Sequence, residues 1–229
     1  FATLKQKQFE VMQSCVVDNL KRGVENGLYR DTIDIDFISR IYLEMSVFKI
    51  LYEVTKIINN FNFEPSQWHK GQRSHEKLIV EGTREKIEGI LQRKVTNWDY
   101  NYNGVFQFCT AQDSLVYHCD TQQYAGVVFL TPDAPPESGT NFYRSRLTGK
   151  TRFEPWENGT EVYNTTFQGG NYYDKTKLEL IDKIGNVYNR LAIWDARTIH
   201  AASEYFGDNM YNSRYFHMFF FDCDKPDIR

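Results

Sequence analysis

The sequence contains little cysteine, and its cysteines form no structural pattern. Cys15, Cys109, Cys119 and Cys223 include no CxxC pair and lack the density of a disulfide-stapled secreted domain. We therefore expect reduced thiols. The first residues lack the charged-then-apolar layout of a signal peptide, and no run of about 18 apolar residues occurs. Together these absences predict a cytoplasmic protein without a membrane partner.

An excess of basic charge is also missing. The formal net charge is −3 at pH 7, from 27 Lys and Arg against 30 Asp and Glu. A general nucleic-acid binder or a membrane-surface binder needs a concentrated basic field, so we expect neither class. What the sequence does contain is 41% apolar and 16% aromatic residues, which argues against disorder and favours a β-rich core. Chemistry on a small molecule or a peptide is the better default.

Two helical patterns open the chain. Apolar residues recur at intervals of three and four over residues 9–24, and Gly27 supplies a C-terminal stop. Asp34 or Asp36 then caps a second apolar stripe over residues 38–48. These patterns predict an N-terminal helical hairpin, either as a helical prefix packed on the main domain or as a fused segment.

The stretch NLKRGVENGLYRDTIDIDFISRIYLE resembles the C-terminal ligand-binding and dimerisation region of TetR-type transcriptional regulators. The resemblance implies a small-molecule-sensing or dimerisation module in this part of the chain. We accordingly divide the sequence into a helical segment, residues 1–48, and a second domain, residues 49–229. A fusion junction near residues 45–50 is compatible with this division.

β-strand signals dominate after a third amphipathic helix, expected at about residues 75–96. Short segments rich in aromatic and β-branched residues alternate with turn clusters such as DAPPESG and FGDNMYN. The predicted strands are GVFQFCTA, AGVVFLTP, TNFYRSR, EVYNTTF, RLAIWDA and RYFHMFFFD. Such a run of strands favours an α+β fold with two stacked sheets, a sandwich or double-sheet barrel with helices on one outer face.

Two side chains suited to metal binding lie immediately before the strand AGVVFLTP. Because side chains alternate in an extended segment, His118 and Asp120 point to one side and Cys119 to the other. His200 follows the strand RLAIWDA and is the best candidate for a third ligand. A histidine, a carboxylate and a distant histidine form the facial triad of non-haem Fe(II) oxygenases, although a lone HxD also occurs by chance in many proteins.

The remaining histidines have simpler interpretations. His217 lies within RYFHMFFFD on the strand face opposite Arg214, and we interpret it as a core histidine. His69 and His75 lie in a polar loop and at a helix start, which makes them surface or substrate-side residues.

Arg214 begins a strand in which the alternate residues on its own face are apolar. A buried charge without a partner is costly, so an inward-pointing arginine requires an anion. A structural carboxylate, such as Asp195 or Asp222, is one candidate. The distal carboxylate of a dicarboxylic cosubstrate, bound by both arms of the guanidinium, is the other.

The segments HCDTQQYAGVVFLTPDAPPESGTNFYRSR and NRLAIWDARTIHAASEYFG follow one another within about residues 60–224. They resemble iron(II)- and 2-oxoglutarate-dependent dioxygenases of the prolyl-hydroxylase-like branch, in particular a bacterial and phage subgroup. The resemblance implies a double-stranded β-helix (jelly-roll) core and hydroxylation of a small-molecule or peptidyl substrate by dioxygen, with release of succinate and CO2.

The resemblance also assigns residues to roles. His118, Asp120 and His200 match the facial triad that binds Fe(II), and Arg214 matches the cation that binds 2-oxoglutarate. Thr140, within ESGTNFY, is expected near the same cavity.

Weaker candidates surround these residues. Gln107 on GVFQFC is placed to bond a 2-oxoglutarate carboxylate or only a neighbouring backbone group, and Arg197 is placed to orient Asp120 or to meet substrate. Three functions remain open from the sequence. They are the 2-oxoglutarate-dependent oxygenase, a small-molecule-sensing or dimerisation module, and a cupin-like metal protein that does not depend on 2-oxoglutarate.

Overall fold

A computed structural model describes residues 2–28, 32, 35, 61–66, 70–167 and 171–224. Three α-helices lie in these ranges: α1 (Ala2–Glu25), α2 (Thr83–Leu91) and α3 (Gly159–Thr166). A short 3-10 helix spans Lys175–Lys177. The described strands are β1 (Phe63–Pro65), β2 (Gln72–Lys77), β3 (Val95–Asn97), β4 (Val105–Cys109), β5 (Tyr124–Phe129), β6 (Thr140–Ser145), β7 (Leu178–Ile184), β8 (Leu191–Asp195), β9 (His200–Ala202) and β10 (Arg214–Cys223).

The strands form two antiparallel sheets. The large sheet has the order β1-β2-β4-β10-β5-β8, and β3 also pairs with β10. The small sheet has the order β7-β6-β9. All of these pairings are antiparallel, and within the described ranges the two sheets do not join into a closed barrel. The α+β prediction, with mostly antiparallel sheets and few helices, is therefore confirmed.

From β4 onward the chain passes repeatedly between the two sheets. Strands β4, β5, β8 and β10 lie in the large sheet, and β6, β7 and β9 form the small one. The segment between β4 and β5 reaches the small sheet as well, because His118 forms an antiparallel bridge with His200 at the start of β9. Two segments that are far apart in the sequence thus become neighbours.

Strand β10 organises the core because it pairs with both β4 and β5 in the large sheet. Phe216 and Met218 on one face pack with residues of β4 and β5, whereas Phe219 and Phe221 on the other face pack with Ile87 of α2. Full burial of each such side chain stabilises the fold by about 1.5–3 kcal/mol. Burial on both faces accounts for the nearly continuous apolar sequence of this strand.

Helix α1 matches the first predicted helix and its stop signal. Gly27 follows it with φ 67°, a left-handed conformation that glycine adopts without steric cost. Val16 and Leu20 are buried against the segment that precedes β8. The second helix of the predicted hairpin, residues 38–48, lies outside the described residues, so the hairpin is not confirmed. No helix in the described part of the chain is both long enough and apolar enough to cross a membrane.

Two predictions of local structure were wrong. The segment EVYNTTF forms most of α3 instead of a strand, with Asn158 Oδ1 accepting a hydrogen bond from the Glu161 backbone N at the helix start. Tyr163 and Phe167, four residues apart, pack into one cluster, as residues on the same side of a helix do. The third predicted helix begins at Thr83 and not near residue 75, because the preceding residues pair with β4 as strand β2.

Candidate metal centre and its cavity

The structure brings together the three predicted metal ligands. One potential ligand atom from each of His118, Asp120 and His200 lies within 4.8 Å of the other two. His118 Nε2 is 3.8 Å from Asp120 Oδ1, and His200 Nε2 is 3.5 Å from Asp120 Oδ2. Both imidazoles therefore face one carboxylate, with room for an ion between them.

Backbone pairing holds this arrangement. His118 N donates to the His200 carbonyl at 3.0 Å, and His200 N donates to the His118 carbonyl at 2.9 Å. Asp120 N donates to the Ala196 carbonyl at 2.9 Å. Cys119 between them is buried in an apolar cluster on the other side. The alternation predicted from the sequence is thus what the structure shows.

The two histidines are oriented by their own backbone. His118 Nδ1 lies 3.0 Å from the Val116 carbonyl, and His200 Nδ1 lies 2.7 Å from the Thr198 carbonyl. Because a carbonyl can only accept, these contacts assign the proton to Nδ1 and leave a lone pair on each Nε2. Backbone contacts of this kind orient metal-binding histidines.

Burial perturbs the charges at this centre. It raises the pKa of Asp120, an effect that His118 opposes. Burial, followed by the effect of His118, lowers the pKa of His200 well below its ordinary value, and the bond to Thr198 opposes this shift. A neutral His200 imidazole and a desolvated carboxylate suit a bound cation, which would favour the charged form of Asp120. Two histidine nitrogens and a carboxylate oxygen fit a divalent transition metal.

Arg214 is buried on the cavity face of β10, with 4% of its surface exposed. Its Nε donates to the Ser138 carbonyl at 3.1 Å, and its Nη2 to the Gly139 carbonyl at 3.3 Å and to Thr140 Oγ1 at 3.4 Å. Burial lowers the pKa of Arg214, and Tyr205 opposes this effect. No carboxylate among the described residues forms an ion pair with this guanidinium.

The two acids considered as structural partners for this guanidinium are engaged elsewhere. Asp195 accepts from Arg152 Nη1 at 2.7 Å and from Arg197 Nε at 3.2 Å. Asp222 Oδ1 accepts from the Gln123 backbone N at 2.8 Å. Arg197 is thereby bound to Asp195 and not to the candidate metal ligand. Among the described residues, neither acid is therefore the partner of Arg214, whose guanidinium donates to the carbonyls of Ser138 and Gly139 and to Thr140.

The segment that leads into β6 lies very close to the end of β7, and this close approach depends on Gly139. A Cβ atom on Gly139 would lie 1.8 Å from the Ile184 carbonyl oxygen, a separation that no side chain tolerates. The backbone of β7 therefore passes directly against this residue. The motif SGT thus allows the tight packing that presents the Gly139 carbonyl and Thr140 to the guanidinium.

Gln107 lies between the cavity and two protein groups. Its Nε2 donates to the Lys70 carbonyl at 2.8 Å. Its Oε1 accepts from Arg73 Nε at 3.1 Å and from Arg73 Nη2 at 2.9 Å. Of the two predicted roles, the contact with a neighbouring backbone group is present in the structure, and the arginine is an additional partner.

One cavity of about 690 Å³ contains these groups. This volume lies within the usual range for small-molecule sites, about 300–1,000 Å³. Aromatic and apolar side chains of the large sheet form part of its wall. The polar and charged residues that line it include His118, Asp120, His200, Arg214, Thr140, Gln107 and Arg73.

Three side chains near the site were not identified from the sequence. The Tyr163 hydroxyl donates to the Cys119 carbonyl and accepts from the Cys119 backbone N at 3.3 Å, which braces the turn between the first two ligands. Tyr205 is partly buried beside Arg214, whose guanidinium carbon lies 6.0 Å from its ring centre. Arg73 faces the cavity from β2. No local motif marks these residues, because helix packing and strand order bring them to the site.

No protein-family model matches the sequence, and no curated protein matches it. HygX from Streptomyces hygroscopicus, whose crystal structure contains nickel, 2-oxoglutarate and hygromycin B, is a similar solved structure. Its TM-score is 0.46, with 8% identity over 78% of this chain and 80% of that chain.

Proposed function

We propose that this chain is an Fe(II)- and 2-oxoglutarate-dependent dioxygenase that hydroxylates a small-molecule or peptidyl substrate. One observation carries the proposal: a His-Asp-His group with ligand atoms within 4.8 Å shares a cavity with Arg214, a buried cation with no acidic partner among the described residues. Three protein ligands on one face of an octahedral ion leave three positions for cosubstrate and dioxygen.

The strand arrangement supports the same proposal. Counting the His118 bridge, the segments from β4 to β10 divide equally between the large and the small sheet. This division, with β10 returning beside β4, is the pattern of a double-stranded β-helix or jelly roll. The candidate ligands occupy adjacent segments of the small sheet, and Arg214 faces them from the large sheet.

Residues of this chain would each have a defined part. His118, Asp120 and His200 would hold Fe(II), while Arg214, together with Thr140, would bind the distal carboxylate of 2-oxoglutarate. Bound Fe(II) and 2-oxoglutarate supply the oxidation of a C–H bond by dioxygen, with release of succinate and CO2.

The cavity wall would limit access of water to the reaction. The Trp194 ring centre lies 5.3 Å from that of His200, and Phe216 and Met218 line the same cavity. Apolar side chains at these positions would desolvate the reacting groups and hold the substrate close to the metal.

A spectroscopic experiment tests the proposal directly. Purified protein mixed with Fe(II) and 2-oxoglutarate under anaerobic conditions should develop a weak visible charge-transfer band. A screen of metabolites and peptides should then identify compounds that stimulate consumption of 2-oxoglutarate and release of succinate.

Other outcomes would contradict the oxygenase. Metal binding without any response to 2-oxoglutarate would favour the cupin-like metal protein. Binding of a small molecule without metal would favour the sensing or dimerisation module. Metal analysis of the purified protein should precede both measurements.

A further inference from the structure

Arg73 lies on β2 and lines the cavity that holds the candidate metal centre. It pairs directly with Gln107 on β4, and Gln107 pairs with Phe216 on β10. Directly opposed residues of antiparallel strands share a face of the sheet. Arg73 therefore faces the cavity from two strands away, about 10 Å from the backbone of β10.

The guanidinium of Arg73 is held in a defined orientation. Its Nε and Nη2 both donate to Gln107 Oε1, at 3.1 and 2.9 Å. Its central carbon lies 4.2 Å from the centre of the Tyr102 ring. Burial lowers the pKa of this arginine, and Tyr102 opposes the effect. The amide and the aromatic ring fix the plane of the cation but carry no negative charge.

The acid nearest to Arg73 in strand register is engaged with another residue. Glu64 on β1 pairs with Arg73 through the backbone ladder. Its Oε2 nevertheless lies 3.3 Å from His75 Nε2. Among the described residues, no carboxylate lies within ion-pair distance of the Arg73 guanidinium. Within the described ranges, Arg73 is thus a second cation of the cavity without an acidic partner.

The two cavity arginines occupy different depths. Arg214 is almost fully buried and is bonded to the segment that leads into the small sheet. Arg73 is half-buried and lies against the ring of Tyr102, which precedes β4. A dicarboxylate that bridges the metal and Arg214 uses both of its ends. This dicarboxylate therefore does not neutralise Arg73, and a second anion is needed to do so.

We infer that Arg73 binds an anionic oxygen group, a carboxylate or a phosphate, on the substrate, and that the substrate is consequently an anion. The inference rests on the proposed function, because that function makes the second ligand of the cavity a substrate. Arg73 acts here as a specificity-determining residue that orients the substrate through hydrogen bonds from its guanidinium.

Binding of small probes tests this role without knowledge of the natural substrate. Protein with ¹⁵N-labelled arginine is loaded with 2-oxoglutarate and with Zn(II). Zn(II) replaces Fe(II) because it is diamagnetic and does not broaden the NMR signals. It is then titrated with benzoate, phenyl phosphate or neutral benzamide. The Nε–H signal of Arg73, identified by its loss in Arg73→Gln, should shift saturably with at least one of the two anions and not with benzamide. The stronger anion distinguishes a carboxylate substrate from a phosphate substrate.

Variants make the binding result specific. Arg73→Gln should weaken binding of the preferred anion about 10- to 100-fold in calorimetry, the usual effect of a hydrogen bond to a charged group. Arg73→Lys keeps the positive charge and should retain more of the anion affinity than Arg73→Gln. This difference would show that the loss in Arg73→Gln comes from the missing charge and not from a change in structure. Arg144→Gln removes an exposed arginine that pairs with Glu179 and should bind the anion like the wild type.

Three results would overturn the inference. The first is the absence of a saturable Arg73 shift with either anion. The second is equal anion binding by wild type and Arg73→Gln. The third is an anion response that appears only in Glu64→Gln, which would show that Glu64 neutralises Arg73 in solution.

Failure of the inference and failure of the proposed function give different results. The oxygenase proposal fails if anaerobic Fe(II) and 2-oxoglutarate produce no visible band and calorimetry shows no binding of 2-oxoglutarate. That conclusion does not depend on whether the Arg73 signal shifts with the anions. If 2-oxoglutarate binds and the Arg73 signal does not respond, only the anionic substrate is overturned. In a substrate screen, compounds that stimulate 2-oxoglutarate consumption should be anions, and their amides or dephosphorylated analogues should be inactive.

Discussion

His200 and His217 are both buried, with 5% and 4% of their surfaces exposed, and both lie in strands of the same fold. Their surroundings differ. His200 directs Nε2 toward Asp120 at 3.5 Å and lines the cavity. The ring of His217 instead stacks on Phe106, with 4.1 Å between ring centres and an interplanar angle of 5°. The first histidine is a candidate ligand, and the second is part of the apolar core.

The comparison shows which property identifies a ligand. Burial lowers the pKa of both histidines, to about 4 for His217 and well below the ordinary value for His200. A shifted pKa therefore does not separate a metal site from a core position. A carboxylate and a second imidazole within reach of the same point do separate them.

The largest expected effect comes from substitution of the histidines that are candidate metal ligands. His200→Ala and His118→Ala should each abolish Fe(II) binding and succinate release, because the remaining two ligands cannot retain the ion. Their circular dichroism should remain close to that of the wild type. Metal content after gel filtration measures the loss.

The matched variant is His217→Ala. It should bind Fe(II) normally but lose about 3 kcal/mol of unfolding free energy, since a buried ring is removed from between aromatic neighbours. Loss of iron in His217→Ala together with retention in His200→Ala would reverse the assignment of the two histidines.

Arg214→Met should weaken 2-oxoglutarate binding by about 30-fold or more while Fe(II) binding is preserved. Truncating one partner of a buried, hydrogen-bonded charge pair typically costs about 2–5 kcal/mol. Titration of the Fe(II)-loaded protein with 2-oxoglutarate, followed by the visible band, gives the affinity. Arg144→Gln, at an exposed position, is the control. Unchanged affinity in Arg214→Met would favour a metal protein that does not depend on 2-oxoglutarate.

The core histidine should make stability depend on pH. Burial lowers the pKa of His217 from 6.5 to about 4, and backbone groups of Gly104 and Leu78 oppose the shift. The unfolded chain therefore takes up a proton at higher pH than the folded protein does. The contribution of the neutral ring, up to about 3 kcal/mol, is complete above about pH 6.5 and is lost as the pH falls toward 4.

Urea unfolding of the metal-free protein at neutral and at mildly acidic pH checks this dependence. His217→Phe keeps a ring in the stack and should lose less stability on acidification than the wild type. His200 is present in both proteins, so the difference between them isolates His217. Equal acid sensitivity would show that His217 titrates normally in the folded state.

The smallest expected effect concerns the turn that carries the first two ligands. Tyr163→Phe removes the hydroxyl that bonds both backbone groups of Cys119. It should lower the unfolding free energy by about 1 kcal/mol and weaken Fe(II) binding slightly, without abolishing it. Urea midpoints and metal titration measure the two effects. An unchanged midpoint and an unchanged affinity would show that the turn needs no such brace.

Structural features that depend only on residues adjacent in the chain could be predicted from the sequence. In an extended backbone, residues two apart share a side, so His118 and Asp120 were predicted to face together with Cys119 turned away. The same rule separated Arg214 from His217 on the two faces of β10. The glycine that ends α1 could also be identified, since its left-handed conformation is a local requirement.

Other features were decided only by the tertiary structure. The bridge between His118 and His200, the absence of an acidic partner for Arg214 among the described residues, and the entry of Arg73 into the cavity all depend on the order of strands in the sheets. The error at α3 has the same origin, because packing of Tyr163 overrides the β preference of its neighbours. Side-chain alternation is a property of two adjacent peptide units, whereas strand order is a balance of contacts over the whole chain, and no local pattern encodes that balance.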